Sequence, residues 1–233
     1  MPDVAPPSRY EPRLCRSTLP EGTELWRVSH ADVVGVWSTS VADDHFGDGR
    51  FDPVAADPFP YCYLGHSPVT ALVETLLRGL PYRDDGLRIL PRAAVRGRRL
   101  LCLRTTRELQ LISLLTGPDL AAACQDAWLI HTEASEYGKT RRWGGWLRSR
   151  SPWAGGITWP SKRDVGGVAV MLYGDRGRAD GGLDVGPVEP RALDDEDGAR
   201  WLNDCLAPYR VTVRPPRPQR PAHPLPPPGL ARA

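Results

Sequence analysis

Between Gly47 and Leu77 the chain reads GDGRFDPVAADPFPYCYLGHSPVTALVETLL, and no other run constrains the fold as tightly. Residues 43–60, rich in Gly, Asp and Pro, read as a loop, and residues 61–64 as a short aromatic strand. A helix follows at once. Ser67 supplies an oxygen for the exposed N–H groups, and Pro68 suits the first helical position. Leu72, Val73, Leu76 and Leu77 form one apolar stripe at helical spacing, and Gly79 and Pro81 stop it. The run carries a glycine-flanked arginine, Arg50, and a single helical carboxylate, Glu74.

Around this run the elements alternate. Residues 24–28 (ELWRV) and 33–38 (VVGVWS) read as strands from their β-branched and aromatic content. Residues 99–104 read as a strand, 108–115 as a helix closed by Gly117-Pro118, 120–130 as helical, and 136–148 as a helix buried along Trp143, Trp146 and Leu147. Residues 157–159 and 168–173 read as paired strands around the loop 161–167. A capped acidic helix is expected over 194–206 and an edge strand over 209–213. This mixture is α+β rather than a βαβ repeat. No GxGxxG follows a strand and opens a helix, so a Rossmann site has no support.

The 233 residues suffice for one full core, expected over 20–213. Residues 1–19 are Pro-rich and read as a poorly structured arm. Residues 214–233 lack any acidic residue and read as a disordered Pro-rich tail. A net charge of +2 gives no sign of a nucleic-acid binder, and no apolar run approaches a membrane span of ~20 residues. Five cysteines, odd in number and without CxxC spacing, indicate neither a disulfide framework nor a zinc site. The five histidines lack metal-ligand spacing, so no metal is expected. With no apolar signal core at the N-terminus, a reduced cytoplasmic setting is expected.

Three polar residues sit at the edges of these elements. Arg27 lies in a strand whose alternation places it with Leu25, away from Trp26 and Val28. A half-buried guanidinium needs an anionic partner: an internal carboxylate, or the pyrophosphate of a ligand. Glu74 borders the apolar stripe of its helix, where it either pairs with Arg78 four residues on or projects into a cleft. Ser161 ends ITWPS, sharing a face with Trp159 if the strand persists past Pro160; otherwise it is a turn serine. No GxSxG elbow surrounds it. Arg50 belongs to an ordinary polar turn or to a loop that wraps an anion.

In order and in context, LWRV, the GRFDP turn, YCYLGHSPVTALVETLL, the helix with YGKTRRW, and GITWPSKRD followed by VAVMLY resemble the RES domain family, named for its arginine, glutamate and serine. The likeness covers roughly residues 20–175. It implies an ADP-ribosyltransferase-like core, a split β-sheet with flanking helices that binds NAD in its cleft. It also implies the toxin of a bacterial toxin–antitoxin pair, partnered by an Xre-like helix-turn-helix antitoxin. Arg27, Glu74 and Ser161 take the three defining, catalytic positions. Arg27, Arg50, Tyr63 and Trp159 take NAD-binding positions. Val28 and Trp159 stand where members often have Tyr, which alters the pocket wall.

The reaction implied is cleavage of the nicotinamide–ribose bond, with NAD as substrate rather than cofactor. Phosphorolysis to nicotinamide and ADP-ribose-1″-phosphate, a glycosyl-transferring reaction, is preferred. Hydrolysis, ADP-ribosylation of a protein and a non-catalytic module are the alternatives. Inorganic phosphate as acceptor would need a second anion site, for which Arg50 and Lys162 are the candidates.

Overall fold

The computed structural model describes residues 5–33, 35–42, 49–176 and 181–214. In chain order these form β1 (Arg16–Leu19), β2 (Glu24–His30), β3 (Tyr61–Gly65), α1 (Pro68–Leu76), β4 (Arg88–Leu90), α2 (Arg92–Val95), β5 (Arg98–Thr105) and β6 (Leu109–Ser113). There follow α3 (Gly117–Ala122), α4 (Trp128–His131), α5 (Tyr137–Ser149), β7 (Gly156–Pro160), β8 (Val168–Tyr173), β9 (Leu183–Val185), β10 (Arg191–Ala192), α6 (Glu196–Leu206) and β11 (Val211–Val213). Nine strands share one sheet in the order β1-β6-β7-β8-β3-β2-β5-β10, with β9 also on β5. All its pairings are antiparallel except β6 with β7. Parallel β4 and β11 make a separate two-stranded sheet.

The sheet is split where β2 meets β3. β2 pairs with β5 along its whole length, and β3 pairs with β8 along its whole length, yet β2 and β3 share only Trp26↔Gly65. The two halves diverge from that point. The α+β class and split sheet expected from the sequence are thus what the chain forms.

Side-chain alternation gives the sheet two different faces. Trp26 and Val28 face a cluster with Leu72, Val73 and Leu76 of α1 and Leu202 and Leu206 of α6. Tyr61 and Tyr63 share that side and join Trp159, Met171, Trp143 and Leu147 in a second cluster beneath α5. Leu25, Cys62, Leu64, Leu103 and Leu111 fill the opposite face. α1 is fixed at its start: the Ser67 hydroxyl accepts from Thr70 N, with Pro68 in the first turn. That places Glu74 in the second turn, between the two clusters of the helical side.

Several local expectations need correction. Residues 108–115 contain β6 rather than a helix, because Leu109 and Leu111 enter one cluster and Ile112 and Leu114 another. A strand buried on both faces reads as a continuous apolar run, which periodicity cannot tell from a buried helix. Gly117-Pro118 opens α3, capped by a Thr116–Asp119 box, rather than closing a helix. The helix expected over 120–130 is two short ones, interrupted at Cys124, whose φ is +55°. No strand forms over 33–38 among the described residues. Gly35 turns the chain with φ +83°, and only Ser38 bridges to Tyr61. Residues 16–19, inside the expected N-terminal arm, are the edge strand β1 on β6. The tail expected from 214 lies, past its first residue, outside the described residues.

Gly65 carries the one paired position of the split. A Cβ there would stand 2.7 Å from the backbone nitrogen of Ala71 and 3.1 Å from Cβ of Thr70. Gly65→Ala is therefore expected to push α1 off the seam and to lower unfolding free energy by about 1–3 kcal/mol in urea titration.

Candidate active site

The split opens into a cavity of about 450 Å³. Its walls include Trp26, Arg27 and Val28 of β2, Tyr61, Tyr63 and Leu64 of β3, and Glu74, Thr75 and Arg78 along α1 and just beyond it. Arg50, Tyr137 and Trp159 close it. Four candidates from the sequence besides Arg27 and Glu74 bear on this space: Arg50, Tyr63 and Trp159 line it, and Ser161 touches it through Glu74.

Arg27 and Glu74 approach from different sides. Arg27 lies on the Leu25 side of β2, as alternation predicts, and its guanidinium donates to the Val36 carbonyl and to Cys62 Sγ at 3.1 Å. Among the described residues it forms no ion pair. Glu74 comes from the helix on the other face, and the divergence of β2 from β3 gives both residues a wall of one cavity. Burial pushes the Cys62 thiol up, against the pull of Arg27. That thiol is therefore a neutral partner for the guanidinium.

Glu74 is held by Ser161 and Arg163. Its Oε1 accepts from Ser161 Oγ at 2.5 Å and from Arg163 N at 3.3 Å. Its Oε2 faces the Arg163 guanidinium at 3.3 Å. The Ser161 hydroxyl itself accepts from the backbone N–H of Arg163, at 3.2 Å, and of Asp164, at 3.0 Å. With both acceptor positions used, its one proton goes to the carboxylate. Ser161 lies past the end of β7, is buried, and does not line the cavity. The surface pair with Arg78 does not form: Arg163 is the salt-bridge partner of Glu74, and Arg78 sits 5.9 Å from the centre of the Tyr137 ring.

Arg50 is only 6% exposed. It donates to the carbonyls of Leu129 and Thr132 at 3.2 and 3.1 Å and lies 4.8 Å from the Tyr137 ring centre. Burial lowers its guanidinium pKa, and Tyr137, Tyr63 and Glu74 counter that. Held by neutral oxygens and an aromatic face, it forms no ion pair among the described residues. It brings a positive charge to the cavity wall that Glu74 also lines.

The GRFDP turn is held from within. Gly49 N donates to Asp52 at 2.7 Å, and Phe51 N donates to the Tyr63 hydroxyl at 2.9 Å. A Cβ on Gly49 would fall 2.0 Å from Asp52 Oδ1 and 2.5 Å from that hydroxyl, so the glycine serves close approach. Burial, with nearby Asp52, raises the Tyr63 phenol well above its ordinary range. Gly47 and Asp48 lie outside the described residues. Trp159 meets Phe51 and Tyr63 edge-on, at 5.2 and 6.1 Å between ring centres.

Lys162 is placed elsewhere. It pairs with Glu133 and does not line the cavity, although its charge, after burial and Arg50, helps lower the pKa of His131. Sequence reasoning missed Arg163, Tyr137 and Arg98 as contributors to the site or its walls. Arg163 was within the quoted GITWPSKRD and Tyr137 within YGKTRRW. The signal available was a basic residue just past a strand end, which is too common to single out.

The loop after β7 has a further anchor. Asp164 accepts from Thr70 Oγ1 and from the Tyr209 hydroxyl, both at 2.6 Å. Burial, then this hydrogen bond, push the Tyr209 phenol up to about 12.

The RES domain family model matches residues 24–194. The chain is also similar to a chain in the crystal structure of the M. tuberculosis MbcT-MbcA toxin-antitoxin complex, with 18% sequence identity and a TM-score of 0.49. That likeness covers 74% of this chain and 85% of the other. No curated protein sequence matches the chain.

Because the folded state raises the Tyr209 pKa, its contribution to stability is complete below the ordinary value of 10.0 and is lost as pH rises through about 12. The thermal-midpoint advantage of the wild type over Tyr209→Phe is expected to shrink across that window and to stay constant below it.

Proposed function

The chain belongs to the RES domain family, and on that premise we propose that it is an NAD-consuming enzyme that breaks the nicotinamide–ribose bond and acts as the toxin of a toxin–antitoxin pair. One observation carries this reading: Glu74, the carboxylate that α1 contributes, is held by Ser161 and Arg163 at the wall of a cavity that Arg27, Arg50 and Asp52 also line.

The chemistry follows from these groups. The glycosidic C–N bond breaks and its electron pair leaves with nicotinamide, which departs neutral. The ribose carbon becomes oxocarbenium-like. Glu74, oriented by the Ser161 hydroxyl and Arg163, stabilises that carbon and orients the ribose hydroxyls; removing such a preorganised group costs about 3–4 kcal/mol of barrier stabilisation. Arg27 and Arg50 bind the pyrophosphate, so that binding energy far from the reacting bond positions it. The aromatic wall of Tyr63 and Trp159 shields the reacting ring from water.

A phosphate oxygen then bonds to the ribose carbon, giving ADP-ribose-1″-phosphate. In this reading Arg50 is shared, one edge of its guanidinium toward the pyrophosphate and the other toward the acceptor phosphate, since Lys162 pairs with Glu133 away from the wall. The partner in this reading is an Xre-like helix-turn-helix antitoxin, and the setting is the cytoplasm.

The test is product analysis of purified protein with NAD, with and without inorganic phosphate. Nicotinamide release with ADP-ribose-1″-phosphate only when phosphate is present is the expected result. Free ADP-ribose would indicate hydrolysis, and turnover only with an added protein would indicate ADP-ribosylation. Absence of nicotinamide under every condition would contradict the reading. Glu74→Gln is expected to keep its circular dichroism spectrum while losing about 10²–10³-fold in kcat. Expression of the wild type, but not of this variant, is expected to arrest bacterial growth.

A further inference from the structure

The hydrogen bond between Glu74 and Ser161 is one of two rungs joining α1 to the loop after β7. Glu74 and Thr70 are four residues apart on α1 and so share a helix face. Glu74 receives Ser161 at 2.5 Å, and Thr70 donates to Asp164 at 2.6 Å. Ser161 and Asp164 are themselves tied, because Asp164 N donates to Ser161 Oγ at 3.0 Å. The four residues close a ring of side-chain and backbone bonds around the carboxylate.

Proton directions around the second rung follow from the donors present. The proton of Thr70 Oγ1 is spent on the Asp164 carboxylate, so the Ser67 hydroxyl, 2.8 Å away, donates to Thr70 Oγ1 while accepting from Thr70 N. Thr70 passes its proton to Asp164 Oδ2, and Tyr209 donates to the other oxygen, Oδ1, at 2.6 Å. Asp164 thus receives two charge-assisted bonds, one from each side. Packing leaves no slack: a Cβ on Gly167 would fall 2.2 Å from Asp164 Oδ2 and 2.6 Å from Thr70 Oγ1. Tyr209 is set by α6 and β11 and lies beyond residue 194, where the family match ends.

We propose that Asp164, braced by Thr70 and by Tyr209 from outside the matched region, is the positioning residue that holds Ser161 against Glu74. This rests on the reading of Glu74 as the working carboxylate. Asp164 touches no substrate in this account. It fixes the loop, the loop fixes the Ser161 hydroxyl, and the hydroxyl fixes the direction in which Glu74 meets the ribose. The C-terminal α6–β11 segment is accordingly part of the catalytic apparatus rather than an appendage.

The experiment is a kinetic cycle on the full chain, using NAD as substrate and the variants Tyr209→Phe, Thr70→Val, their combination, and each in a Ser161→Ala background. The combined variant is expected to lose about tenfold in kcat, with KM for NAD within about twofold. In the Ser161→Ala background the same changes are expected to cost little more, because the group they act through is gone. An equal loss in both backgrounds, a loss confined to KM, or no loss would overturn the proposal. Amide hydrogen exchange gives a readout free of turnover: Arg163 and Asp164 N–H, which donate to Ser161, are expected to exchange faster in Tyr209→Phe. Unchanged exchange there would also overturn it. If the wild type consumes no NAD, the proposed function fails on its own, and the exchange data alone decide whether Asp164 positions the loop.

Discussion

Two neighbouring strands that share a single paired position set up everything else in this molecule. β2 is committed along its length to β5, and β3 to β8, so at Trp26↔Gly65 the sheet must open. An opened sheet leaves polar backbone and side chains facing a gap that hydrophobic packing does not fill. Residues on opposite faces, such as Arg27 and Glu74, then become walls of one space. In a continuous sheet the same alternation would keep them apart.

The charges around that space are unequally satisfied. Glu74 has a guanidinium, a hydroxyl and a backbone N–H. Arg27 and Arg50 have carbonyls, a thiol, a phenol and an aromatic face, and no carboxylate among the described residues. A buried and a half-buried cation, held among the described residues by neutral acceptors, favour an anionic guest over water. The carboxylate, in contrast, already has a cationic partner in Arg163. Within the proposed chemistry this division is useful: the arginines bind the part of a dinucleotide that does not react, and Glu74 acts on the part that does.

Much of this was legible in the sequence, for reasons that can be stated. The start of α1 was readable because Ser67 and Pro68 are local signals, satisfied within one turn. The face of Arg27 was readable because strand alternation is strict. The pairing of Glu74 was not. Spacing along the helix suggested Arg78, whereas the actual partner, Arg163, arrives from a loop 89 positions away. The role of Ser161 shifted for the same reason, since its proton is directed to Glu74 and not toward the cavity. β6 was misread because a strand buried on both faces loses the alternation that identifies it. Asp164 and Tyr209 carried no sequence signal at all; their link spans 45 positions and is visible only once α6 folds back.

The central claim is that the seam between β2 and β3 grips a dinucleotide by its phosphates and presents its glycosidic bond to Glu74. A crystal structure of Glu74→Gln soaked with NAD tests this most directly. The account predicts the pyrophosphate against Arg27 and Arg50, and the nicotinamide ribose within hydrogen-bonding distance of the residue 74 amide. NAD bound away from this cavity, or bound in it with the ribose turned from α1, would contradict it.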